Sequence, residues 1–514
     1  MSSNIFSEQL PNNWVLCRID DVSMQPQYGY TTKASQEGNL HLLRTTDITS
    51  GIINWNNVPF CTENPSDIKK YILSDGDIVI SRAGSIGISH LLKNPKRSVF
   101  ASYLIRFRPL IDKYFFYYFL KSPFYWKQIS EKKLGIAVQN INASKLRQIE
   151  LQLPPLPEQN RIVAKIEELF SELDFAMASL QTAQQQLKVY RQAVLKDAFE
   201  GKLTAAWREQ QQQQQTSEVS ETSEVFDADA LLKKIKEERE RHYQEQLAEW
   251  ERACQEAEKV GGKKPVKPKR NREIESLNEE EVSKLPISYS GQIYVKLSEF
   301  SEIIGGVTKG RKLENRKVKS FPYLRVANVQ DGYLDLKEIK YIDIPVEEFV
   351  KYKLEFGDVL YTEGGDKDKL GRGTIWKDEI ADCIHQNHIF RARPFENIIS
   401  SLYLAYYSQT RTAKNYFFEK AKQTVNLASI NLTILSNLPV PICSILEQNK
   451  IVQEIESRFS VTEKLEETIE QSLLHAEALR QSILKRAFAG KLVPQDPNDE
   501  PAEKLLEWIK KGGK

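Results

Sequence analysis

An α+β fold is predicted, built as two mixed globular domains separated by long helices that pair as an antiparallel coiled coil. Three observations predict it. A 46-residue segment occurs twice, each copy carries apolar residues at coiled-coil spacing, and each is preceded by β-rich runs broken by glycine turns.

The duplication is the strongest signal. Glu158–Leu203 and Glu447–Leu492 align without a gap at an offset of 289, with 18 of 46 positions identical, and self-similarity of this kind defines an architecture before any local assignment. The similarity extends upstream at an offset of 281. There Arg44-Thr-Thr-Asp-Ile48 lies on Arg325-Val-Ala-Asn-Val329, and Gly76-Asp77 lies on Gly357-Asp358. Downstream, Leu231-Leu-Lys-Lys-Ile-Lys236 resembles Leu505-Leu-Glu-Trp-Ile-Lys510.

The chain therefore divides into a first mixed domain (1–157), a central helix (158–204), a Gln-rich linker with a charged helix (205–285), a second mixed domain (286–446), a C-terminal helix (447–492) and a tail (493–514). In the first helix the apolar seam runs Ile162, Ile166, Leu169, Leu173, Ala176, Leu180, Ala183, Leu187, Tyr190, Val194, stepping four and three as a coiled-coil stripe does. The second seam is noisier: Ile451, Ile455, Phe459, Leu465, Ile469, Leu473, Ala476, Leu479, Ile483. Pro157 is expected just outside the first helix, and Gly201 and Gly490 at the C′ positions of the two. Each helix would be about 65 Å long. It could cover its seam with the other helix or with its own domain.

In the mixed domains, Asp77–Ser81 and Asp358–Thr362 read as strands after Gly-Asp turns, and Tyr114–Ser122 and Leu402–Tyr416 as helical. The six glutamines 210–215 and the Ser/Thr/Glu-rich sequence after them read as a disordered linker, followed by a charged helix over 227–259.

Composition excludes several classes. Lys+Arg of 72 against Asp+Glu of 70 gives +2, so any nucleic-acid contact must come from local charge. Five cysteines without a CxxC pair suit a reducing compartment. The opening MSSNIFSEQL lacks signal-peptide character and no apolar run is membrane-spanning, so a cytoplasmic chain with no membrane contact is expected. No Walker A loop or Gly-rich nucleotide fingerprint occurs, so no cofactor is expected. Cys383-x-His385-x-x-His388 has a metal-like spacing but no fourth ligand nearby, so no metal site is expected either.

Local charge does concentrate. Lys309–Arg325 carries seven basic residues against one acid, and Lys93–Arg108 carries five against none. Such stretches suit phosphate neutralisation, whereas base reading needs Arg, Lys, Asn or Gln at groove edges. The candidates are Arg44, Arg82, Lys96, Arg97, Gln139 and Asn140 in the first copy, and Lys309, Arg311, Lys312, Arg316, Arg325, Asn328, Arg372 and Asn426 in the second. A basic run is also an ordinary solvated face.

These features resemble the DNA specificity (S) subunit of Type I restriction–modification systems. The resemblance rests on Leu153-Pro-Pro-Leu-Pro-Glu-Gln159 leading into Ile162-Val-Ala-Lys-Ile166, on Arg191-Gln-Ala-Val-Leu195 and Phe199-Glu-Gly-Lys-Leu203, on their repeats in the second copy, and on Pro11-Asn-Asn-Trp14. It implies that each mixed domain is a target-recognition domain for one half of a bipartite asymmetric site in double-stranded DNA, with the paired helices as spacer. It also implies docking of two methylation subunits, which carry S-adenosylmethionine, and of restriction subunits, with no catalysis by this chain. Two alternatives stand beside it: a nuclease using Asp112, Glu131 and Lys133, and a coiled-coil scaffold without DNA recognition.

Overall fold

The computed structural model describes residues 10–133, 140–215, 228–259, 264–268, 277–311, 313, 316–365, 370–395, 397–423 and 428–512. Two compact units result, Met1–Ala183 with Thr468–Lys514, and Gln184–Glu467. Among the described residues no helix is long and apolar enough to cross a membrane.

In the first unit, Val15–Arg18 pairs antiparallel with Glu150–Leu153, so the strand entering the domain lies beside the strand leaving it. A four-stranded antiparallel sheet follows in the order Gln27–Tyr28, Leu104–Phe107, Ile78–Ser81, Ser89–Leu91. A smaller sheet sets His41–Leu43 parallel to Ser98–Phe100. The second unit repeats this plan. Ile293–Lys296 pairs with Pro439–Ile442, and Ser301–Gly305, Ile389–Pro394, Val359–Thr362 and Gly373–Ile375 form the four-stranded sheet. The strands expected after both Gly-Asp turns are present, each buried along its length as a central strand should be. The expected helical patch at 402–416 is two helices, Ser401–Ser408 and Arg411–Lys420, broken where Thr410 caps the second by accepting from Ala413 N at 3.2 Å.

Each long helix has 44 residues, Leu156–Phe199 and Ile445–Phe488, and each is shared between the units. Both sequence options for covering the seam are realised. In the first unit Ile162, Val163 and Ile166 join the core of the adjoining domain, and the end of the other helix (Ile483, Leu484, Ala487, Phe488) joins the same core. In the second unit the start of that other helix (Ile451, Val452, Ile455, Phe459) meets the end of the first (Val194, Leu195, Ala198, Phe199). A start beside an end in each unit makes the pairing antiparallel. The seams are not all as read: Tyr190, Leu465 and Leu479 are exposed, whereas Thr462 is buried. An unsupercoiled helix drifts about 20° per heptad from a strict seven-residue stripe, which moves such positions off the seam.

The helix starts are anchored from inside. Gln159 is buried, accepts from Asp112 N at 3.2 Å and donates to Pro154 O at 2.9 Å. Gln448 does the same work in the other unit, accepting from Ser400 N at 2.8 Å and donating to Ile398 O at 2.9 Å and Cys443 O at 2.8 Å. The neighbouring buried carboxylates differ in partners. Glu158 accepts from Trp14 Nε1 at 3.0 Å, and Glu447 accepts from Thr204 Oγ1 at 2.8 Å and pairs with Arg208. Burial, partly countered by Trp14 and Arg161, holds the Glu158 carboxyl above its usual range. Pro157 lies inside the first turn and not before it, where its missing N–H costs nothing. Gly201 and Gly490 end the helices with φ of +73° and +67°, as expected of C′ glycines.

The segment after the first helix departs most from expectation. The glutamines 210–215 continue a helix, Ala205–Gln215, and the Ser/Thr/Glu-rich sequence after them, expected to be a disordered linker, lies at 216–227 outside the described residues. The charged helix Ala228–Lys259 is docked, not merely solvated. Ile235 is fully buried in the second core, Leu231 and Leu232 pack against it, and Arg239 pairs with Glu299. The tail helix Ala502–Lys510 seats Ala502, Leu506 and Ile509 in the first core in the corresponding way. The weak downstream similarity is thus a repeated docking element, made because each core needs an apolar helical cover.

Candidate nucleic-acid interface

A buried carboxylate immediately precedes an inner strand of each four-stranded sheet, Asp77 before Ile78–Ser81 and Asp358 before Val359–Thr362. Asp77 accepts from Ser74 N at 2.9 Å and from Arg108 Nε at 2.7 Å, with Arg106 3.9 Å away. Asp358 accepts from Glu355 N at 2.8 Å and from Arg393 Nε at 2.7 Å. Arg106 and Arg391 donate to backbone carbonyls, Arg106 to Ile72 O at 2.7 Å and Arg391 to Lys353 O at 3.1 Å. Burial pulls both guanidiniums below their ordinary pKa. Two of the five cations in the Lys93–Arg108 stretch therefore hold the fold together.

One end of each sheet carries a position pinned on both sides by the backbone. In the first unit Arg82 N donates to Tyr103 O at 2.9 Å, and Arg82 O accepts from Ile141 N at 2.9 Å. In the second, Glu363 N donates to His388 O at 2.9 Å and Glu363 O accepts from Ile430 N at 2.8 Å. The preceding hydroxyls also agree, Ser81 Oγ accepting from Ile88 N at 3.1 Å and Thr362 Oγ1 from Arg372 N at 3.2 Å. Bridges from Ala83 to Asn140 and from Gly364 to Ser429 complete the match. The same skeleton therefore presents Arg82, Tyr103 and Asn140 in one unit and Glu363, His388 and Ser429 in the other.

The side chains interact within each set. Arg82 Nε donates to Asn140 Oδ1 at 3.2 Å, and its guanidinium lies 5.1 Å from the ring centroid of Tyr28. Tyr28 Oη in turn accepts from Ala143 N at 2.8 Å. In the second unit His388 Nδ1 bonds Glu363 Oε2. Arg372 Nη1 donates to Gln330 Oε1 at 2.6 Å, and Lys414, beside it, pairs with Asp331 at 2.7 Å.

The remaining expected residues are dispersed. Arg44 starts a short helix and forks onto Asp47 at 2.8 and 3.1 Å. Arg325 occupies the same capping position and pairs with Glu338 at 3.3 Å. Asn328 is corrected: it is buried, accepts from Arg325 N at 2.8 Å and donates to Asp335 O and Glu338 O at 2.8 and 3.0 Å, so its amide serves the turn and not a groove. Arg311 and Arg316 converge on Glu348, and Arg316 also on Glu347, which partly neutralises that basic stretch. Lys96 donates to Asn56 Oδ1 at 3.3 Å, and Arg97 and Lys309 are exposed. Gln139, Lys312 and Asn426 lie outside the described residues.

Tyr28, Tyr103, Glu363 and His388 join these sets although the sequence pattern for base reading, Arg, Lys, Asn or Gln, does not include them. Setting Arg82 on Glu363 at the 281 offset was the available signal. His385 is buried, its Nδ1 2.9 Å from Ile389 O, and burial lowers its pKa to about 3. Among the described residues no three metal-ligating side chains gather. Asp112 caps its helix by accepting from Tyr114 N and Phe115 N at 3.0 and 2.7 Å, a commitment at odds with metal ligation.

Comparison with known proteins agrees with this duplicated architecture. The family described as Type I restriction modification DNA specificity domain matches residues 11–183 and again 291–475. The Type I restriction enzyme EcoKI specificity subunit of Escherichia coli (strain K12) is 24% identical, covering 98% of this chain and 96% of that protein. The StySPI specificity subunit of Salmonella potsdam is 25% identical over the same shares. A chain solved in work on complex assembly and conformational transition of the type I R-M system shares the fold with a TM-score of 0.58, at 18% identity over 94% of this chain and all of that one. The chain belongs to the family of the Type I restriction modification DNA specificity domain, which it carries twice.

Proposed function

We propose that this chain is the sequence-recognition subunit of a Type I restriction–modification complex, itself non-catalytic, acting on double-stranded DNA in the cytoplasm. Each mixed domain reads one half of a bipartite asymmetric site. The observation that carries this reading is the pinned position at each sheet end. Its hydrogen-bonded skeleton is the same in both units, while Arg82, Tyr103 and Asn140 are replaced by Glu363, His388 and Ser429. A common frame with unlike polar edges is what reading two different half-sites requires.

The helices serve as spacer and as docking surface for two methylation subunits, which bring S-adenosylmethionine, with restriction subunits joining that core. Support for docking comes from large apolar side chains left exposed on both helices, Phe175 at 77%, Val189 at 62%, Val461 at 57% and Leu474 at 61%. Arg82, Lys96, Arg97, Asn140, Lys309, Arg311, Arg316, Arg325 and Arg372 remain proposed DNA contacts, with Arg44 among them.

Equilibrium binding tests the reading. The full chain with its methylation subunits should prefer one split sequence over others, lose affinity steeply with salt, and bind more tightly than the chain alone. Equal affinity for all duplexes in the presence of the partners would leave only the scaffold reading.

A further inference from the structure

We propose that Glu363, held by His388, selects a base pair for the second domain by accepting a hydrogen bond from an exocyclic amino group, cytosine N4 or adenine N6, in the major groove, at the position where Arg82 of the first domain selects guanine. The inference rests on the DNA-reading function proposed above.

The two positions correspond by geometry. Residues 82 and 363 each spend their N–H and C=O on equivalent neighbours, Tyr103 and Ile141 in one unit and His388 and Ile430 in the other, at 2.8–2.9 Å, so each side chain leaves the same point of the same frame. What differs is hydrogen-bonding character. Arg82 offers only donors, and the major groove presents paired acceptors at guanine O6 and N7. An ionised Glu363 offers only acceptors, and the donors in that groove are the amino groups of cytosine and adenine.

A carboxylate close to phosphates is repelled, so its presence at this position calls for a partner that holds it in place. His388 is that partner: its Nδ1 hydrogen-bonds Glu363 Oε2, while Oε1 has no partner among the described residues. Asn387 Nδ2 lies 3.4 Å from His388 Nε2, and Glu363 is one-third and His388 one-half exposed at their side chains. Arg372 N donates to Thr362 Oγ1, next along the strand, at 3.2 Å, and Arg372 Nη1 donates to Gln330 Oε1 at 2.6 Å.

The test uses the full chain in complex with its methylation subunits, and duplexes in which each base of its site is changed singly. The wild type should require cytosine or adenine at one position of one half-site, losing roughly ten- to a hundred-fold in affinity otherwise. E363Q, which keeps shape and adds a donor, should move that single position toward adenine if cytosine was required, or leave adenine accepted while relaxing rejection of other bases. E363D keeps the acceptor and should weaken binding without changing the preferred base. R82Q should relax a guanine position in the other half only. An E363Q profile that superposes on the wild type, a loss spread evenly over all positions, or a change of preferred base in E363D overturns the inference. A wild type with no base preference anywhere would overturn the DNA-reading function instead.

Discussion

The guanidinium of Arg191 lies 4.3 Å from the ring centroid of Phe459, and Arg480 lies 4.7 Å from that of Phe170. The two contacts are one contact made twice, since 191 and 480, like 170 and 459, are related by the 289 offset. The first joins the end of one long helix to the start of the other in the second unit, and the second does so in the first unit. Arg191 adds ion pairs to Glu463 and Glu466, and Arg480 adds one to Asp174.

Replacing either arginine by alanine should therefore cost about 1–2 kcal/mol, the range for a half-buried cation–π pair plus lost packing of the side-chain stem. R191A and R480A share no partner, so their effects should add. Thermal melts of the two single variants and the double variant check this. An R191A melt superposing on the wild type would mean the pair contributes nothing.

Gln448 is expected to be costlier to remove. Q448A strands Ser400 N and the carbonyls of Ile398 and Cys443 in the protein interior, and each such group costs about 1–3 kcal/mol. Denaturant unfolding should place Q448A well below a variant of exposed Gln453. Equal midpoints would contradict the anchoring role.

Salt dependence separates the cations that hold the fold from those facing solvent. K96A and R97A should each lower the slope of log affinity against log salt by about 0.9 if each contacts one phosphate. R108K should leave the slope unchanged while lowering stability, because Arg108 is committed to buried Asp77. Binding titrations at several ionic strengths check both.

Acid should destabilise the second unit through His385. Its folded pKa of about 3 lies below the unfolded value of about 6.5. The unfolded state thus takes up the proton first, so the contribution is intact above pH 6.5 and falls by up to about 1.4 kcal/mol per pH unit on the way down to pH 3. H385Q, which can still donate to Ile389 O, should flatten the fall of melting temperature between pH 7 and pH 5. An unchanged pH profile in H385Q would assign the acid sensitivity elsewhere.

What could be read from the sequence follows the range of the interactions. The duplicated helices and Gly201 and Gly490 were legible because helix period and helix ends are local. The tail similarity at Leu231 and Leu505 was legible because both segments meet the same requirement, an apolar cover for a core. The ion pairs of the basic stretches were not legible because the partners are distant in sequence: Arg108 meets Asp77, and Arg311 and Arg316 meet Glu347 and Glu348. Asn328 looked like a base reader because burial cannot be seen in a single residue type. Glu363 was passed over because its role depends on standing where Arg82 stands, a relation created by strand pairing.

The central claim is that two unlike domains on one frame read two unlike half-sites. Sequencing the modified bases in a host that produces this chain with its methylation subunits tests it most directly. A motif of two separated, non-identical halves with a fixed gap is the predicted result. An uninterrupted motif, a palindrome, or modification without sequence preference would contradict it.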